Sequence, residues 1–168
     1  IVLTNQQEAG AFRSITNQIL DGYLNRPGRD WVASLSAARQ KSLAEAKEVT
    51  DKVAADVARA QASGAATLAP NAIVGRYSDA WFGEISLVLK DRKLRFASKR
   101  SPRLSGEMFP YKANSFIVRW DDRSMDADAF VNFQLDVDGR PQGFTMKAIS
   151  PLTDFSYDFH DLEFHRSL

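Results

Sequence analysis

The sequence contains no cysteine, two histidines and no apolar run that approaches the length of a membrane span. The absence of cysteine excludes disulfides, thiolate metal sites and a cysteine nucleophile. A spanning helix needs about 20 consecutive apolar residues, so we predict no membrane span. The 22 basic and 21 acidic residues leave a net charge of +1, which gives no field that would attract nucleic acid.

The motifs of acyl-transfer enzymes are also missing. No serine has a lysine three residues later, and neither Lys-Thr-Gly nor Gly-x-Ser-x-Gly occurs. The Ser-x-x-Lys spacing matters because it places the lysine one helical turn from the hydroxyl that it helps to activate. One Tyr-x-Asn, at Tyr23-Leu24-Asn25, ends a predicted amphipathic helix, and we interpret it as a coincidence. The sequence therefore predicts no catalytic residue and no cofactor.

The histidines and the charged clusters do not predict a metal site. His160 and His165 are five residues apart, and in an extended segment this odd spacing puts them on opposite faces. The acidic stretch 121–128 lacks the Asp-x-Asp-x-Asp-Gly pattern of a calcium loop and is interpreted as a polar hairpin loop. The stretch 90–103 has seven basic residues against one acid. A solvated hairpin face is the preferred interpretation, and an anionic partner or an adjoining acidic surface is the alternative.

The N-terminal part predicts a strand and a first helix. Ile1–Leu3 is a short β-branched and apolar run, which is typical of a strand, and a chain that begins within a strand indicates a piece of something longer. Between about residues 8 and 24, apolar residues recur at helical spacing and define one face. That face consists of Phe12, Ile15, Ile19 and Tyr23, with Leu20 and Leu24 beside them.

A second and much longer helix is predicted from Trp31 to about Ala62, with Asp30 as its N-cap. At about 1.5 Å per residue it would be about 48 Å long. Its apolar stripe is narrow, so we interpret it as a solvated connector, with a partner-binding or dimerising seam as the alternative. The small residues, glycine and proline of 63–72 predict a linker.

After the linker, strand-like runs recur at roughly 8- to 12-residue spacing, as in an all-β domain. The clearest is Phe130–Val137, where alternate residues are apolar from Val131 to Val137. The eight runs are Ile73–Ser78, Glu84–Lys90, Lys93–Ala97, Leu104–Tyr111, Ser115–Asp121, Ala129–Val137, Phe144–Ala148 and Phe155–Phe164, the last with a break. Eight such runs predict an antiparallel up-and-down barrel, which also removes exposed sheet edges.

An eight-stranded barrel is just wide enough to be filled by side chains or to hold one small ligand. The many aromatic residues of the predicted strands are compatible with either arrangement. If the interior holds a ligand, we expect Trp120, Phe133, Phe144 and Tyr157 to line it.

Three runs carry a resemblance to a known family: YSDAWFGEI (77–85), VRWDDRSMDADAFVNFQLDVDG (118–139) and MKAISPLTDFSYDFHDL (146–162). They closely resemble the lipocalin-like domain of unknown function that follows the catalytic domain in serine hydrolases related to penicillin-binding proteins and class C β-lactamases. IVLTNQQ (1–7) and the helix at 12–24 resemble the last strand and last helix of that catalytic domain.

The resemblance implies an α+β chain in four parts. Residues 1–29 would be the remnant of the β-lactamase-like domain, 30–62 a long connecting helix, 63–72 a linker and 73–168 an eight-stranded antiparallel lipocalin-like barrel. It also implies an exported protein, periplasmic or secreted, whose parent is a serine hydrolase. None of the family's catalytic motifs falls on this chain, so no active-site residue is transferred.

Two functions remain open on this basis. The first is a non-catalytic accessory domain that supports, positions or oligomerises the parent hydrolase, with the parent catalytic domain as its partner. The apolar face of Phe12, Ile15 and Ile19 would then be covered by the long helix, by the barrel or by a second copy of the chain. Self-association through this face and the long helix belongs to this hypothesis. The alternative is a binding module whose barrel mouth takes a small apolar or peptidic ligand, with the substrate of the parent enzyme as one candidate.

Overall fold

The computed structural model describes residues 1–5, 9–26, 28–64 and 68–167. It divides into two units, Ile1–Lys47 and Glu48–Leu168. The first unit contains helix α1 (Ala9–Tyr23) and the start of helix α2 (Trp31–Ser63), and the second contains the rest of α2 and all the strands. The predicted bounds of both helices are confirmed to within a residue or two.

The predicted strand at Ile1–Leu3 is wrong, because residues 1–5 belong to no helix or strand. A strand exists only where a neighbouring strand pairs with its backbone. The strands of this chain pair with one another in a closed ring, which leaves no free edge for another strand. Gln6 and Gln7, the end of the run that resembles a catalytic domain, lie outside the described residues.

The connection between the two helices is fixed by side-chain hydrogen bonds. The Asp30 carboxylate accepts a hydrogen bond from the Ala33 backbone N–H at 2.7 Å, so the predicted N-cap is confirmed. The Trp31 indole N–H donates to Asp21 near the end of α1 at 2.7 Å, and the Arg29 guanidinium lies over the Trp31 ring. These contacts hold the end of α1 to the beginning of α2.

The predicted apolar face of α1 is only partly covered. Phe12 is half-buried, whereas Ile15 and Ile19 are 47% and 48% exposed. Ile15 faces Val32 and Leu35 across a groove of about 370 Å³. The α1–α2 contact therefore leaves much of the apolar surface of this unit exposed.

The second unit is a closed antiparallel barrel in which each strand pairs with the next and β8 returns to β1. The predicted architecture, helices followed by an eight-stranded antiparallel barrel, is confirmed. The strands are β1 (Gly75–Asp79), β2 (Gly83–Lys90), β3 (Lys93–Ser98), β4 (Ser105–Lys112), β5 (Ser115–Trp120), β6 (Ala129–Leu135), β7 (Pro141–Ala148) and β8 (Glu163–Arg166).

Strand β6 follows the predicted alternation only over its first part. Val131 and Phe133 are fully buried, but Leu135 is half-exposed and Val137 lies in solvent, which corrects the predicted inward face. The pairing register with β7 shifts between Gln134 and Leu135. The Asp136 carboxylate then accepts backbone N–H groups of the turn that follows, so the strand ends before Val137 reaches the core.

The eighth predicted strand is largely wrong. Within 155–164 the chain forms a short 3-10 helix, Phe159–Asp161, and β8 begins only at Glu163. Phe155 is 86% exposed. The Asp154 carboxylate accepts the Ser156 N–H, and this local turn interrupts what is otherwise an alternating aromatic pattern.

The predicted linker contains structure that closes one end of the barrel. A short helix, α3 (Pro70–Ile73), lies at the end where β1 starts, and Leu68 and Ile73 are buried in the barrel core. The Tyr77 hydroxyl donates to the Ile73 carbonyl at 2.9 Å, and burial raises the pKa of Tyr77. The Arg166 guanidinium donates to the Ala72 and Val74 carbonyls on either side of Ile73. Residues 65–67 of the linker lie outside the described residues.

The part of α2 that belongs to the second unit packs on the outside of the barrel. Val53 and Val57 are buried against Ile117 and Ile149. For residues 48–63, the interpretation as a solvated connector is therefore wrong, because Val53 and Val57, one helical turn apart, meet an apolar patch of the barrel. Among the described residues, no helix combines the length and the apolar character that crossing a bilayer requires.

A buried carboxylate strengthens this contact. The Asp56 side chain is 8% exposed. It forms ion pairs with the Lys112 ammonium at 2.6 Å and with the Arg59 guanidinium at 2.7 Å. The Tyr111 hydroxyl donates to it at 3.3 Å. The hydrogen bond from Lys112, followed by that from Arg59, lowers the pKa of Asp56 to about 2 against the effect of burial. Asp56 therefore stays ionised over the whole physiological range.

Candidate functional site

The barrel interior is filled by aromatic side chains. Trp120, Phe133 and Phe144, which were predicted to line a ligand site, are fully buried. Phe133 contacts Phe144 with ring centroids 5.4 Å apart, and Phe96 lies between Phe144 and Trp120, at 6.4 and 5.3 Å. The Trp120 indole N–H is satisfied by the Ala127 carbonyl. Among the described residues, no buried side-chain polar atom lacks a hydrogen-bond partner, so the interior presents no polar group to a ligand.

The fourth predicted residue, Tyr157, lies elsewhere, at a pocket outside the packed core. This pocket has a volume of about 340 Å³ and lies at the end of the barrel opposite α3. We call it the mouth pocket. It is lined by Trp81, Phe82, Arg100, Ser101, Leu104, Ser156, Tyr157, Asp158, Phe159 and Leu162.

Asp79 holds the β1–β2 turn that carries two of these aromatic residues. Its carboxylate accepts the backbone N–H groups of Trp81 at 2.8 Å and Phe82 at 2.6 Å. It also accepts the N–H of Glu163 at the start of β8. Burial alone would raise the pKa of Asp79, but these three N–H groups lower it below its usual value. One carboxylate therefore fixes the Trp81 side of the pocket to β8.

Arg100 forms a second wall, on the β3–β4 loop. Its guanidinium donates to the Trp81 carbonyl at 2.6 Å and packs over Gly83, where an added Cβ would lie 3.8 Å from the Arg100 Nε. Gly83 has φ +86°, a conformation that favours glycine. The Ser98 hydroxyl accepts the Ser101 N–H at 3.0 Å and shapes the same loop.

Tyr157 connects the pocket to the core. Its ring lies 5.7 Å from that of Phe159, which in turn lies 6.1 Å from Trp120. Leu104, Phe159 and Leu162 belong to the core cluster. The floor of the pocket is thus the outer layer of the barrel core, while Trp81 stands 64% exposed at its rim.

Two opposite charges line the mouth pocket without an ion-pair partner. Neither Arg100 nor Asp158 forms an ion pair with any described residue, and no ion pair joins the two. This contrasts with nearby Lys99, which pairs with Glu84 at 3.7 Å. Asp158 lies on the segment that carries Tyr157, and Arg100 on the loop that contacts Trp81. An apolar pocket between unpaired charges of opposite sign is suited to a dipolar ligand.

Most basic residues of the stretch 90–103 form ion pairs with acidic residues of the same chain. Arg95 pairs with Asp121, and Arg103 pairs with Asp122. Hydrogen bonds from Ser124 and then Arg103 lower the pKa of Asp122 to about 2. The preferred interpretation as a solvated face is therefore incomplete, because the acidic loop 121–128 supplies the adjoining acidic surface.

A larger depression, about 610 Å³, lies beside residues 50–54 of α2. It is more charged than the mouth pocket, but most of its charged side chains form ion pairs. Arg123 pairs with Asp128 at 2.7 Å, and Lys93 pairs with Glu107 at 2.9 Å. The Arg119 guanidinium lies 5.0 Å from the centre of the Phe109 ring. This depression therefore offers a ligand fewer unsatisfied groups than the mouth pocket does.

Within the described part of the chain, no three histidine, aspartate or glutamate side chains lie close enough together to hold a metal ion. His160 lies in the 3-10 helix, 3.5 Å from the carboxylate of Asp161, and His165 lies in β8. His160 is therefore not in an extended segment, as the prediction from the spacing assumed.

The sequence prediction missed most of the mouth pocket. Trp81, Phe82 and Arg100 lie in turns that the strand pattern treats as connections. A signal was present, because Trp81 is a large apolar residue in a turn, where polar residues are usual. Two of the runs that carry the resemblance, 77–85 and 146–162, also meet at this pocket.

Comparison with known protein families gives a match. A family model described as a domain of unknown function (DUF3471) matches residues 59–166. The match covers more than half of the chain and spans the end of α2, α3 and all eight strands. No curated protein matches the chain.

Proposed function

The chain belongs to the DUF3471 family, and from this premise we propose that it is a non-catalytic accessory domain of a larger hydrolase. The observation that carries this proposal is the filled interior of the barrel. Phe96, Phe133 and Phe144 occupy the space in which a barrel enzyme or carrier would hold its ligand. The chain also lacks Ser-x-x-Lys, Lys-Thr-Gly and Gly-x-Ser-x-Gly, and its one Tyr-x-Asn lies at the end of α1. A rigid, filled barrel is suited to supporting another domain.

The parent that we propose is a serine hydrolase related to penicillin-binding proteins and class C β-lactamases. The support for this is the resemblance of the three runs in 77–162 to the lipocalin-like domain of such enzymes. An exported location, periplasmic or secreted, follows from the same resemblance and belongs to the same proposal.

The exposed apolar surface of α1 is where this domain would meet its partner. Ile15, Ile19 and Leu20 are about half-exposed, and Tyr23 is more so. Clusters of apolar residues exposed in this way usually mark an interaction surface. The parent catalytic domain, or a second copy of the chain, would cover it.

The non-catalytic part of the proposal is tested with the purified chain. We expect no hydrolysis of a chromogenic cephalosporin or a p-nitrophenyl ester above the rate of the heat-unfolded chain. We also expect no labelling by a fluorophosphonate, which reacts with activated serines. Labelling of one serine, together with turnover that is lost when that serine is changed to alanine, would overturn the proposal.

The accessory part is tested with the coding sequence upstream of Ile1. We expect it to encode Ser-x-x-Lys followed by Tyr-x-Asn. Deleting 73–168 from the longer protein should then lower its melting temperature or change its oligomeric state. A deletion variant with unchanged kcat/KM, stability and association would contradict a supporting role.

A further inference from the structure

The mouth pocket combines an apolar floor with two charged groups that the protein leaves unpaired. Phe82, Leu104 and Leu162 form part of the floor, and Phe82 is itself fixed against Phe164 with ring centroids 5.7 Å apart. Arg100 and Asp158 stand on two different loops. A ligand that fits this arrangement has an apolar body and carries both charges.

The two charged loops are held in place before any ligand arrives. The Arg100 guanidinium is fixed by one hydrogen bond to the Trp81 carbonyl at 2.6 Å, which leaves its other N–H groups available. The segment before Asp158 is fixed because the Tyr157 N–H donates to the Asp154 carbonyl at 3.0 Å. Preorganised groups of this kind reduce the entropic cost of binding.

We propose that the mouth pocket binds an amino acid or dipeptide that carries a large apolar side chain. The side chain lies on Phe82, Leu104 and Leu162, the carboxylate binds Arg100 and the ammonium group binds Asp158. A guanidinium is suited to a carboxylate because it offers parallel N–H donors. At about 340 Å³ the pocket is at the small end of ligand sites, which suits a ligand of this size.

The two charges favour a zwitterion over ligands that carry a single charge. A fatty acid or an aromatic acid would leave Asp158 without a partner, and a simple amine would leave Arg100 without one. A ligand that covers either group without pairing it removes water from a charge, which weakens binding. The zwitterion is the ligand that satisfies both groups. This inference does not depend on the proposed accessory role, because the pocket lies within the barrel domain itself.

The test is isothermal titration calorimetry of the full chain with the dipeptide Phe-Leu and with free phenylalanine. Fluorescence of Trp81, which stands at the rim, reports where the ligand binds, with a Trp81→Phe variant to assign the signal. We expect saturable binding of at least one of these zwitterions. N-acetyl-phenylalanine and phenylalanine amide, which each lack one charge, should bind about tenfold more weakly or worse, and diglycine should not bind.

Two variants locate the charges. Arg100→Gln and Asp158→Asn should each weaken binding about tenfold or more, whereas Arg100→Lys, which keeps the charge, should lose less. Arg140→Gln and Asp138→Asn make the same changes in the β6–β7 turn at the other end of the barrel and should bind like the unaltered chain. Thermal melting shows whether each variant is folded.

Three results would overturn the proposal. One is the absence of saturable binding of either zwitterion by the unaltered chain. Another is equal affinity for the zwitterion and for its acetylated and amidated forms, which would mean that the pocket recognises an apolar group alone. The third is unchanged affinity in folded Asp158→Asn, or in folded Arg100→Gln. None of these results bears on whether the chain is an accessory domain, which the hydrolysis and deletion experiments decide separately.

Discussion

Replacing Phe144 by alanine should remove the centre of the barrel core. Phe144 is fully buried, and its ring contacts four others. The centroid distances are 4.6 Å to Phe164, 5.1 Å to Tyr77, 5.4 Å to Phe133 and 6.4 Å to Phe96. Among the aromatic pairs of the described residues, Phe144 and Phe164 have the shortest centroid distance. The substitution therefore leaves a cavity that is bounded by aromatic rings on several sides.

The expected loss is at the upper end of the range for such changes. Truncation of a buried phenylalanine costs about 3–5 kcal/mol, more where the surroundings cannot collapse. Here the strands form a closed ring, so they cannot move inward independently. Loss of the ring contacts adds to the loss of buried area. We expect about 4–5 kcal/mol, which for a unit of this size corresponds to a fall in melting temperature of about 15–20 °C.

Urea unfolding followed by circular dichroism measures this free energy. Phe155→Ala is the matched control, because Phe155 is 86% exposed in the loop before β8. It should change the free energy of unfolding by no more than about 0.5 kcal/mol. If Phe144→Ala cost less than about 1.5 kcal/mol, or if both variants lost the same amount, the interior would not be packed as described.

Further predictions concern two glycines and one carboxylate. Gly106→Ala should destabilise the barrel by about 1–3 kcal/mol, because the added Cβ would lie 2.2 Å from the Arg119 carbonyl oxygen. Gly22→Ala lies in α1, where nothing is within 4 Å of the added Cβ, and should instead raise helix content. The stability measured by calorimetry should therefore fall in Gly106→Ala, whereas the helical signal measured by circular dichroism should rise in Gly22→Ala. Because the pKa of Asp56 is lowered to about 2 from 3.8, its ionised form stabilises the fold above about pH 4, and this stabilisation is lost as the pH falls towards 2. Asp56→Asn, which breaks the ion pair with Lys112, should thus be less stable than the unaltered chain at pH 7 and differ less from it at pH 2.5; a difference that grows on acidification would contradict this.

The elements that local patterns specify could be predicted from the sequence. The Asp30 cap and the helices on either side of it depend on residues within a few positions of one another. The barrel strands depend on alternation and on turn residues, which are also local. The count of eight and the closed architecture followed from the spacing of these runs and from the need to bury many aromatic residues.

The parts that could not be predicted depend on residues that are far apart in the sequence. Arg95 and Asp121 form an ion pair across 26 positions, so the basic and acidic stretches looked independent. The Asp79 carboxylate fixes both its own turn and Glu163, 84 positions later. The mouth pocket exists only where such loops meet. Ile73 is similar, because the carbonyls of its two neighbours, Ala72 and Val74, accept hydrogen bonds from Arg166 of the last strand.

The pairing between β1 and β8 differs from every other strand pairing in the barrel. It contains two residue pairs, Tyr77 with Arg166 and Ser78 with His165, whereas β6 and β7 share seven pairs. All the other pairings connect strands that follow each other directly in the chain, so each can form as a hairpin. The pairing of β1 with β8 must bring the two ends of the sheet together, and its entropic cost of loop closure is the largest. We therefore expect the pairing between β1 and β8 to form last during folding. In the native state we expect it to open most readily. Opening this pairing exposes two strand edges, through which a second molecule could exchange its last strand.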